Sequence, residues 1–289
     1  MRRLQLLTFV VPLLSALACR DATSPPSPAG IELRTPGRAL IISAATPQVS
    51  GGGLHTCALK TDGTVICWGD NGYGQATVPA GLSAVVQVSA GNAQTCALKT
   101  DGTVVCWGWN NSGQATVPAE ISSIAQVSAG GVHNCALKTD GTVVCWGDNN
   151  FGQWNIPAGL TSVHEVSAGF VHTCALKTDG TVACWGYDGS GQTDVPPGLS
   201  SVTQVSAGYA HTCALKQDGT LLCWGAVGQF GYGQEVVPLG LTSVAQVSAG
   251  GSHSCALKTN GTVICWGDDS FGQVTMPAGL TSVEQVSAG

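Results

Sequence analysis

Short apolar runs separated by turn residues recur along the chain at a fixed spacing. In each unit "QVSAG", "CALK" and "TVICWG" are strand-like runs, and "QATVP" is a weaker fourth. Val, Thr, Cys and Trp are frequent in these runs and Gly, Pro, Asp and Asn bound them, which is typical of β-strands. No part of the unit has the 3.6-residue apolar period of a helix. The pattern predicts an all-β protein with four strands in each unit.

The length of the unit indicates a repeat architecture. The first cysteine of each copy stands at position 57, 96, 135, 174, 213 or 255, so four intervals are 39 residues and the last is 42. The last is longer because "GAVGQFGYGQ" has three extra residues. A period in this range is typical of a propeller or solenoid. The sequence therefore predicts six complete copies of an about 39-residue unit.

The turn between the second and third strands decides how the cysteines face each other. A two-residue Asp62-Gly63 turn places Cys57 opposite Trp68 and turns Cys67 to the other face. A three-residue loop, 61–63 with Gly63 left-handed, places Cys57 directly opposite Cys67. Opposed residues of an antiparallel pair lie about 4.5–5.5 Å apart, within the range of a disulfide. We predict the three-residue loop.

Each copy is therefore expected to carry one disulfide across its central hairpin. Closing a ring of about eleven residues contributes roughly 2–3 kcal/mol, which is large for a unit with few charges and a small core. The predicted pairs are Cys57 with Cys67, Cys96 with Cys106, Cys135 with Cys145, Cys174 with Cys184, Cys213 with Cys223, and Cys255 with Cys265.

Zinc is the alternative role for these cysteines, since His55, Cys57 and Cys67 are all zinc-ligand types. Gln94 replaces that histidine in the second copy, yet both cysteines remain there. The cysteine pair does not depend on the histidine, so disulfides are favoured and no metal or cofactor is expected. The histidines are expected to bond to the loop of a neighbouring strand.

The N-terminal residues predict export. Residues 1–18 have a basic start, a short apolar stretch and a small-residue end, as an export signal does. Cys19 follows, and "SALAC" resembles the signal of bacterial lipoproteins, in which that cysteine carries the lipid. Ala16 departs from the usual leucine, so ordinary cleavage after residues 16–18 is the alternative. We predict lipidation at Cys19, because it is the odd one of 13 cysteines, followed by a flexible tether over residues 19–47.

The charge of the repeats excludes one class of partner. They contain six lysines and no arginine against 15 Asp and Glu, a net charge of −9. Nucleic-acid binding needs a basic surface that displaces counterions, and phosphate recognition favours arginine. The repeats therefore predict no nucleic-acid partner and no membrane contact other than the lipid at Cys19.

The repeated motif resembles a known family. "HTCALKTDGTVICWGDNGYGQ" resembles the repeat of the regulator of chromosome condensation family, and "GQATVPAGL" and "GQATVPAEI" are similar to the shorter repeat of the bacterial β-lactamase inhibitory protein II. The resemblance covers residues 48–289 and implies a seven-bladed β-propeller with four-stranded blades. It also implies that one tryptophan of each copy wedges between blades. These residues are Trp68, Trp107, Trp146, Trp185, Trp224 and Trp266.

The number of copies does not match seven. Six are complete, and residues 285–289, "QVSAG", repeat the opening strand of a seventh. We expect an incomplete seven-bladed ring in the form of an open arc, because a blade reduced to its first strand leaves an unpaired edge. Closure with six blades is the alternative.

The sequence favours binding over catalysis. It has no nucleophile elbow, no phosphate loop and no convergent metal set, so no catalytic residue is expected. Its carboxylates stand mostly in turns, at Asp62, Asp101, Asp140, Asp179 and Asp218, where aspartate forms the turn itself.

We therefore expect an exported, monomeric binding propeller of the bacterial cell envelope or surface that recognises a protein partner. A cell-wall polysaccharide is the alternative ligand. The first resemblance implies guanine-nucleotide exchange, which export and the absent arginines disfavour. The second implies a β-lactamase or a penicillin-binding protein as partner.

One loop of each copy varies while the flanking strands stay nearly constant. Between "CWG" and "GQ" the copies read "DNGY", "WNNS", "DNNF", "YDGS", "AVGQFGY" and "DDSF". Variation in one loop of each blade puts the diversity on one rim of the ring. The predicted partner-binding residues are Tyr73, Trp109, Phe151, Trp154, Tyr187, Phe230, Tyr232 and Phe271, with Asp70, Asp148, Asp188, Asp268 and Asp269 as a polar border. The alternative is that each aromatic packs over its own loop.

Overall fold

The protein is described here by a computed structural model, which covers residues 45–226 and 231–289. The predicted export signal, Cys19, most of the tether and Phe230 lie outside the described residues. Within the described ranges every regular element is a β-strand, as predicted, and none is a helix that could cross a membrane.

The strands form six antiparallel sheets of three strands, called blades 1 to 6 here, each in chain order from an inner to an outer strand. The strands are β1 Gln48–Gly51, β2 His55–Leu59, β3 Val65–Gly69, β4 Val85–Ala90, β5 Gln94–Lys99, β6 Val104–Gly108, β7 Ile124–Ala129, β8 His133–Lys138, β9 Val143–Gly147, β10 Val163–Ala168, β11 His172–Lys177, β12 Val182–Gly186, β13 Val202–Ala207, β14 His211–Lys216, β15 Leu221–Gly225, β16 Val244–Ala249, β17 His253–Lys258 and β18 Val263–Gly267.

The hairpin loop between the second and third strands has the predicted three residues. Lys60 N–H donates to Thr64 O at 2.9 Å, and Gly63 has a φ of 77°. The loop places Cys57 opposite Cys67. In all six blades the paired cysteines have Cα atoms 4.0–4.1 Å apart and their sulfur atoms lie at bonding distance. The predicted register is confirmed in every blade.

The predicted fourth strand is wrong. Residues 76–84 follow β3 as a series of turns, with Thr77 N–H bonded to Gly74 O and Leu82 N–H to Pro79 O. We call these residues and their equivalents the return segments: 76–84, 115–123, 154–162, 193–201, 235–243 and 274–282. Pro79 has no N–H for a ladder, and Gly81 and Ala84 have φ values of 79° and 58°. A left-handed backbone at two positions prevents the extended conformation that a strand needs. The described blades are three-stranded.

Side chains of the inner strands join the blades into a closed circle. The hydroxyl of Ser50 accepts the N–H of Ala90 in the next blade at 2.9 Å. The same bond recurs at each step around the circle, also at 2.9 Å. In the last two steps Ser248 accepts from Ala288, and Ser287 accepts from Gly51. Residues 285–289 therefore stand between blade 6 and blade 1.

The ring has seven positions, as expected from the resemblance. Residues 285–289, called the seventh position from here on, supply its inner segment. The inner wall is thus closed, which corrects the expectation of an open arc. Closure with six blades is wrong, because seven inner segments bond around the circle.

The hydrophobic core lies between neighbouring blades. Cys57 and Leu59 of blade 1 pack with Val85, Val88 and Trp107 of blade 2, and four equivalent clusters join the remaining described blades. The wedged tryptophans are only 4–8% exposed. Their indole N–H groups donate to the preceding blade at 2.9–3.1 Å. The implied wedge is confirmed in five blades, whereas Trp68 of blade 1 is 52% exposed.

Candidate functional site

The two ends of the strands carry different chemistry. All six lysines stand beside the hairpin turns, and four of them pair with the turn aspartate at 3.0–3.4 Å. The same aspartate binds the threonine that ends the turn, as Asp62 binds the hydroxyl and N–H of Thr64. These bonds lower the pKa of Asp62 to about 2. The turn carboxylates therefore stabilise the turns in which they stand, as the sequence predicted.

The variable loops lie at the opposite end of the strands. We call them the rim loops: residues 70–73, 109–112, 148–151, 187–190, 226 with 231–232, and 268–271. In blade 1 the N–H of Asp70 donates to Leu54 O at 2.8 Å. Leu54 belongs to the connection between β1 and β2, so the rim loops and the inner connections share one face of the ring.

The Gly-Gln pair fixes the backbone of each rim loop. The side-chain oxygen of Gln75 accepts the N–H of Tyr73 at 2.9 Å. Equivalent bonds of 2.7–2.9 Å close the other rim loops. The glycine before each glutamine has a positive φ, for example 81° at Gly74, which explains its recurrence. The loop backbone is held by residues that do not vary, so the side chains are free to vary.

A second bond anchors five of the rim loops. Asn71 Oδ1 accepts the N–H of Ala76 at 2.9 Å. Asn110, Asn149, Asp188 and Asp269 accept the equivalent N–H in their own blades. Asn and Asp are interchangeable in this role. The other three predicted polar-border carboxylates accept the side-chain amide of the closing glutamine, so all five are bonded within their own loops; these three are Asp70, Asp148 and Asp268.

The structure exposes most of the predicted aromatic residues. Tyr73, Phe151 and Tyr232 are 52–61% exposed, Trp154 is 40% exposed and Phe271 is 93% exposed. Trp109 and Tyr187 are half-buried. The predicted residues meet in pairs across neighbouring blades. Tyr73 and Trp109 have ring centroids 6.1 Å apart, and Phe151 and Tyr187 are 5.1 Å apart with their rings nearly perpendicular.

Packing over the aromatic's own loop also occurs. The ring of Tyr187 lies so close to Gly189 that a Cβ at this glycine would overlap it. Tyr187 therefore packs over its own loop and also contacts the aromatic Phe151 of the neighbouring blade. Both expected roles of the aromatics are present in this one residue. The exposed rings of Tyr73, Phe151 and Tyr232 remain available on the rim.

A second aromatic group on the same face was missed by the sequence analysis. Phe170 and Tyr209 stack with centroids 4.2 Å apart and planes at 25°. They line a cavity of about 170 Å³ at the mouth of the central channel, which otherwise is lined mainly by Gly and Ala. The residue after "SAG" is Asn92 in blade 2, Phe170 in blade 4 and Tyr209 in blade 5, and glycine in the other three blades. Its variation was the signal in the sequence that could have found this site.

Four histidines connect neighbouring blades by bonding to a side chain of a strand, not to a loop as the sequence predicted. His172 Nε2 lies 3.0 Å from Thr212 Oγ1 of the next blade. That hydroxyl donates to Gln192 O at 2.9 Å, and Trp224 Nε1 donates to the same carbonyl at 3.1 Å. Because Thr212 gives its hydrogen to the carbonyl, the histidine is the donor in the first bond. We call this four-residue arrangement the latch.

Burial keeps the latch histidines neutral. It lowers the pKa of His133, His172 and His211 to about 3. In the part of the chain that is described, no three side chains of the His, Cys, Asp or Glu type lie together as a metal site.

The family of the chain follows from the repeat. The profile of the regulator of chromosome condensation (RCC1) repeat matches residues 48–75, 85–114, 124–153, 163–192, 202–234 and 244–273. The chain belongs to this family. Each match begins on an inner strand and ends at or near the glutamine that closes a rim loop. A comparison with curated protein sequences found no match.

Solved structures with this fold are similar. Prp20p from Saccharomyces cerevisiae, described with its binding to Gsp1p and histones, has a TM-score of 0.67 and 23% identity over 81% of this chain and 75% of that chain. The ectodomain of the Physcomitrella patens receptor kinase CR4 has a TM-score of 0.66 and 28% identity over 79% and 66%. The ectodomain of the Arabidopsis thaliana receptor kinase ACR4 has 0.65 and 25% over 83% and 89%.

Proposed function

We propose that the protein is an exported, non-catalytic propeller that binds a protein partner through the face carrying the rim loops. One observation carries this proposal. The backbone of every rim loop is fixed by a glutamine that recurs in all six copies, while the side chains on that backbone differ and several aromatics among them are exposed. A rigid scaffold with variable exposed loops is suited to recognition.

The composition of this face favours a protein partner. Exposed aromatic residues beside carboxylates are the mixture found at protein-binding hot spots. Prp20p, which has the same fold, is described with two protein partners. Stacked rings such as Phe170 and Tyr209 also suit a sugar, so a cell-wall polysaccharide is the second candidate ligand.

The roles of the polar residues support a binding rather than a catalytic role. The latch histidines are buried and bonded to the next blade, and the turn aspartates bind their own threonines and lysines. These groups have structural partners that account for their positions. The guanine-nucleotide exchange implied by the family resemblance is not part of the proposal.

Export is supported by three observations. Six hairpin disulfides suit an oxidising compartment, residues 1–18 have the composition of an export signal, and two similar structures are receptor ectodomains. We propose a lipid-anchored layout with the signal at 1–18, a tether at 19–47 and the propeller at 48–289. Cys19→Ser should move the protein from the membrane fraction to the soluble fraction. Identical fractionation of both forms would instead favour simple cleavage.

The proposed function is tested by capture from a bacterial envelope extract. The bait is the full chain, and the matched bait carries Tyr73→Ala, Phe151→Ala and Tyr232→Ala together. A protein retained by the first bait and lost by the second supports the proposal, provided both baits melt alike. Retention on peptidoglycan or an insoluble glucan would favour the polysaccharide. Equal capture by both baits would overturn the rim-loop assignment.

A further inference from the structure

One hairpin turn differs from the other five at its aspartate position. The turn between the second and third strands contains Asp-Gly in blades 1 to 5 and Asn260-Gly261 in blade 6. Asn260 is exposed, as the five turn aspartates are. Its Oδ1 accepts the N–H of Thr262 at 3.1 Å and the hydroxyl of Thr262 at 2.7 Å. This turn therefore holds an amide in a place where the other blades hold a carboxylate.

The lysine of the hairpin stands beside the other end of this amide. In blades 1, 2, 4 and 5 the threonine hydroxyl binds Oδ1 of the turn aspartate, and the lysine Nζ lies 3.0–3.4 Å from Oδ2. In blade 6 the threonine bonds go to Oδ1 of Asn260, so its Nδ2 takes the place of Oδ2. Lys258 has the sequence position of the paired lysines. A positively charged amine is thus within reach of the amide nitrogen.

These groups match the needs of an internal loss of ammonia. In that reaction the backbone nitrogen of the next residue attacks the side-chain carbonyl carbon of the asparagine. Gly261 leaves its nitrogen unhindered because it has no Cβ. The two bonds from Thr262 stabilise the negative charge that develops on Oδ1 during the attack. Lys258 can protonate the departing nitrogen. The nucleophile, the oxyanion donors and the acid therefore lie in one turn.

We propose that Asn260 is a self-catalysed deamidation site and that its product is aspartate. First, a bond forms between Gly261 N and Cγ of Asn260, and the bond between Cγ and Nδ2 breaks. Lys258 protonates the leaving nitrogen, which departs as ammonia. Solvent takes the proton of Gly261 N–H and returns one to Lys258. This modification is independent of the partner that the rim loops bind.

The second step is hydrolysis of the cyclic imide. Water adds to Cγ, the bond between Cγ and Gly261 N breaks, and a proton returns to that nitrogen. The complete reaction consumes one water and releases one ammonia. Water could also add to the backbone carbonyl of residue 260, which gives isoaspartate. Because the bonds from Thr262 polarise the side-chain carbonyl, they direct water to Cγ and favour aspartate.

The aspartate product fits the hairpin. Its charge strengthens the two bonds from Thr262 and supplies the carboxylate that lysine binds in four other blades. Isoaspartate would add one atom to the backbone of a loop in which Gly261 has a φ of 78°. Gly261 N–H also donates to Lys258 O at 2.9 Å, so the attack takes place when this bond opens transiently.

A second Asn-Gly pair provides an internal comparison. Asn71-Gly72 lies in the rim loop of blade 1 and is also exposed. Its amide nitrogen donates to Thr77 Oγ1 at 2.9 Å, which holds the leaving group in the loop. Gly72 N lies 3.4 Å from a carboxylate oxygen of Asp70, whose negative charge opposes loss of the N–H proton. Asn71 should therefore lose ammonia more slowly than Asn260.

The test incubates the full chain in mildly alkaline buffer and follows both sites by peptide mass spectrometry. Conversion of the amide to the acid should be at least about tenfold faster at Asn260 than at Asn71. The modified peptide should co-elute with the same peptide from Asn260→Asp. Equal conversion at the two sites, or isoaspartate as the main product, would overturn the proposal.

Three variants test the roles of the neighbouring residues. Lys258→Gln and Thr262→Val should each slow conversion at Asn260 by about tenfold. Lys99→Gln changes the equivalent lysine of blade 2 and should leave the rate unchanged. If Lys258 and Thr262 only held the turn closed, their replacement would expose Asn260 further and speed the reaction. An unchanged or faster rate in both variants would therefore also overturn the proposal.

Discussion

Gln94 donates a hydrogen bond to Asn134 of the next blade, with Nε2 and Oδ1 3.2 Å apart. The other four latches join a histidine to a threonine or serine hydroxyl at 2.8–3.0 Å. Asn134 Nδ2 then donates to Gln114 O, as the hydroxyl does elsewhere. The one latch without a histidine is thus also the one without a hydroxyl. Both residues differ in the same latch because carboxamides can take over both roles. The amide of Gln94 donates as the histidine does, and the amide of Asn134 accepts that bond and donates to the carbonyl as the hydroxyl does.

This relationship predicts that the two residues are exchangeable only as a pair. Gln94→His alone places an imidazole against Asn134, and Asn134→Thr alone leaves a shorter side chain facing Gln94. Each single change should lower the free energy of unfolding by about 1–2 kcal/mol, because a buried polar group loses its partner. The double change recreates the His and Thr pair and should be within about 0.5 kcal/mol of the unchanged protein.

Denaturant unfolding of the four proteins forms a double-mutant cycle. The matched control makes the reverse replacement in the next latch. His133→Gln combined with Thr173→Asn converts a His and Thr pair into a Gln and Asn pair. Additive effects of Gln94→His and Asn134→Thr would show that the two side chains act independently, contrary to the prediction.

Local sequence signals predicted the parts of the fold that depend on a single repeat. The Asp62-Gly63 pair predicted the hairpin register correctly, because a left-handed glycine fixes the loop length. The fourth strand failed because the turns around Pro79 and Gly81 outweigh the apolar character of "QATVP". Interactions between repeats were less visible. Gln94 and Asn134 are 40 residues apart, so only the geometry of the ring shows that they bond.

The residues of the candidate site also fall into two groups: those that the sequence of single repeats indicated, and those that depend on contacts between repeats. The variable rim loops were recognisable because they differ between otherwise constant copies. Phe170 and Tyr209 were missed, since each looks like a single departure at a glycine position. Their stacking depends on neighbouring blades placing the two residues side by side at the channel mouth.

Glu165 is predicted to make the stability of the ring pH-dependent. It stands where the other inner segments carry glutamine, and it accepts the N–H of Val205 at 3.2 Å. The equivalent Gln87 both accepts from and donates to Val127. Burial raises the pKa of Glu165 to about 8, so at neutral pH the folded protein keeps the proton. A protonated carboxyl resembles the amide, with an O–H in place of an N–H.

The sign of the effect follows from proton binding. Between pH 4.5, the ordinary pKa, and about 8 the folded state binds a proton that the unfolded state has lost. The stabilising contribution is therefore complete below pH 4.5 and is lost as the pH rises toward 8. Glu165→Gln should remove this loss and make the protein about 1–3 kcal/mol more stable at pH 8.

The measurement is the free energy of unfolding of the original protein and Glu165→Gln from pH 4 to pH 9. The histidines titrate in both proteins, so their contribution cancels in the difference between the two free energies of unfolding. Glu284→Gln removes an exposed carboxylate near the ring and is the control. A constant difference between the original protein and Glu165→Gln across this range would contradict the prediction.

The twelve repeat cysteines are predicted to be oxidised in the exported protein. Every pair is directly opposed across its hairpin, so both partners are available without movement of the backbone. Thiol labelling of unreduced mature protein should find none of the twelve free. Replacing Cys96 and Cys106 together with serine should lower the free energy of unfolding by roughly 2–3 kcal/mol. Stoichiometric zinc, or twelve reactive thiols, would mean that the cysteines have another role.

The rim aromatics should divide into contact residues and packing residues according to their exposure. Trp154→Ala and Tyr232→Ala remove rings that are 40% and 54% exposed. Each should weaken partner binding by about 1–3 kcal/mol with little change in melting temperature, because a ring exposed in the free protein contributes mainly to the complex. Trp109→Ala should weaken binding and also lower the melting temperature, since this half-buried ring packs against Tyr73.

The control for these substitutions is Leu239→Ala, which removes a fully exposed apolar side chain from a return segment rather than from a rim loop. Calorimetric titration with the captured partner gives the affinity, and thermal melting gives the stability. If Leu239→Ala weakened binding as much as Tyr232→Ala, any lost apolar surface would be sufficient and the rim would have no special role. A lower melting temperature with unchanged affinity for Trp154→Ala and Tyr232→Ala would mean that their rings pack against the loops. The partner would then bind another surface, and the stacked Phe170 and Tyr209 at the channel mouth would be the next residues to substitute.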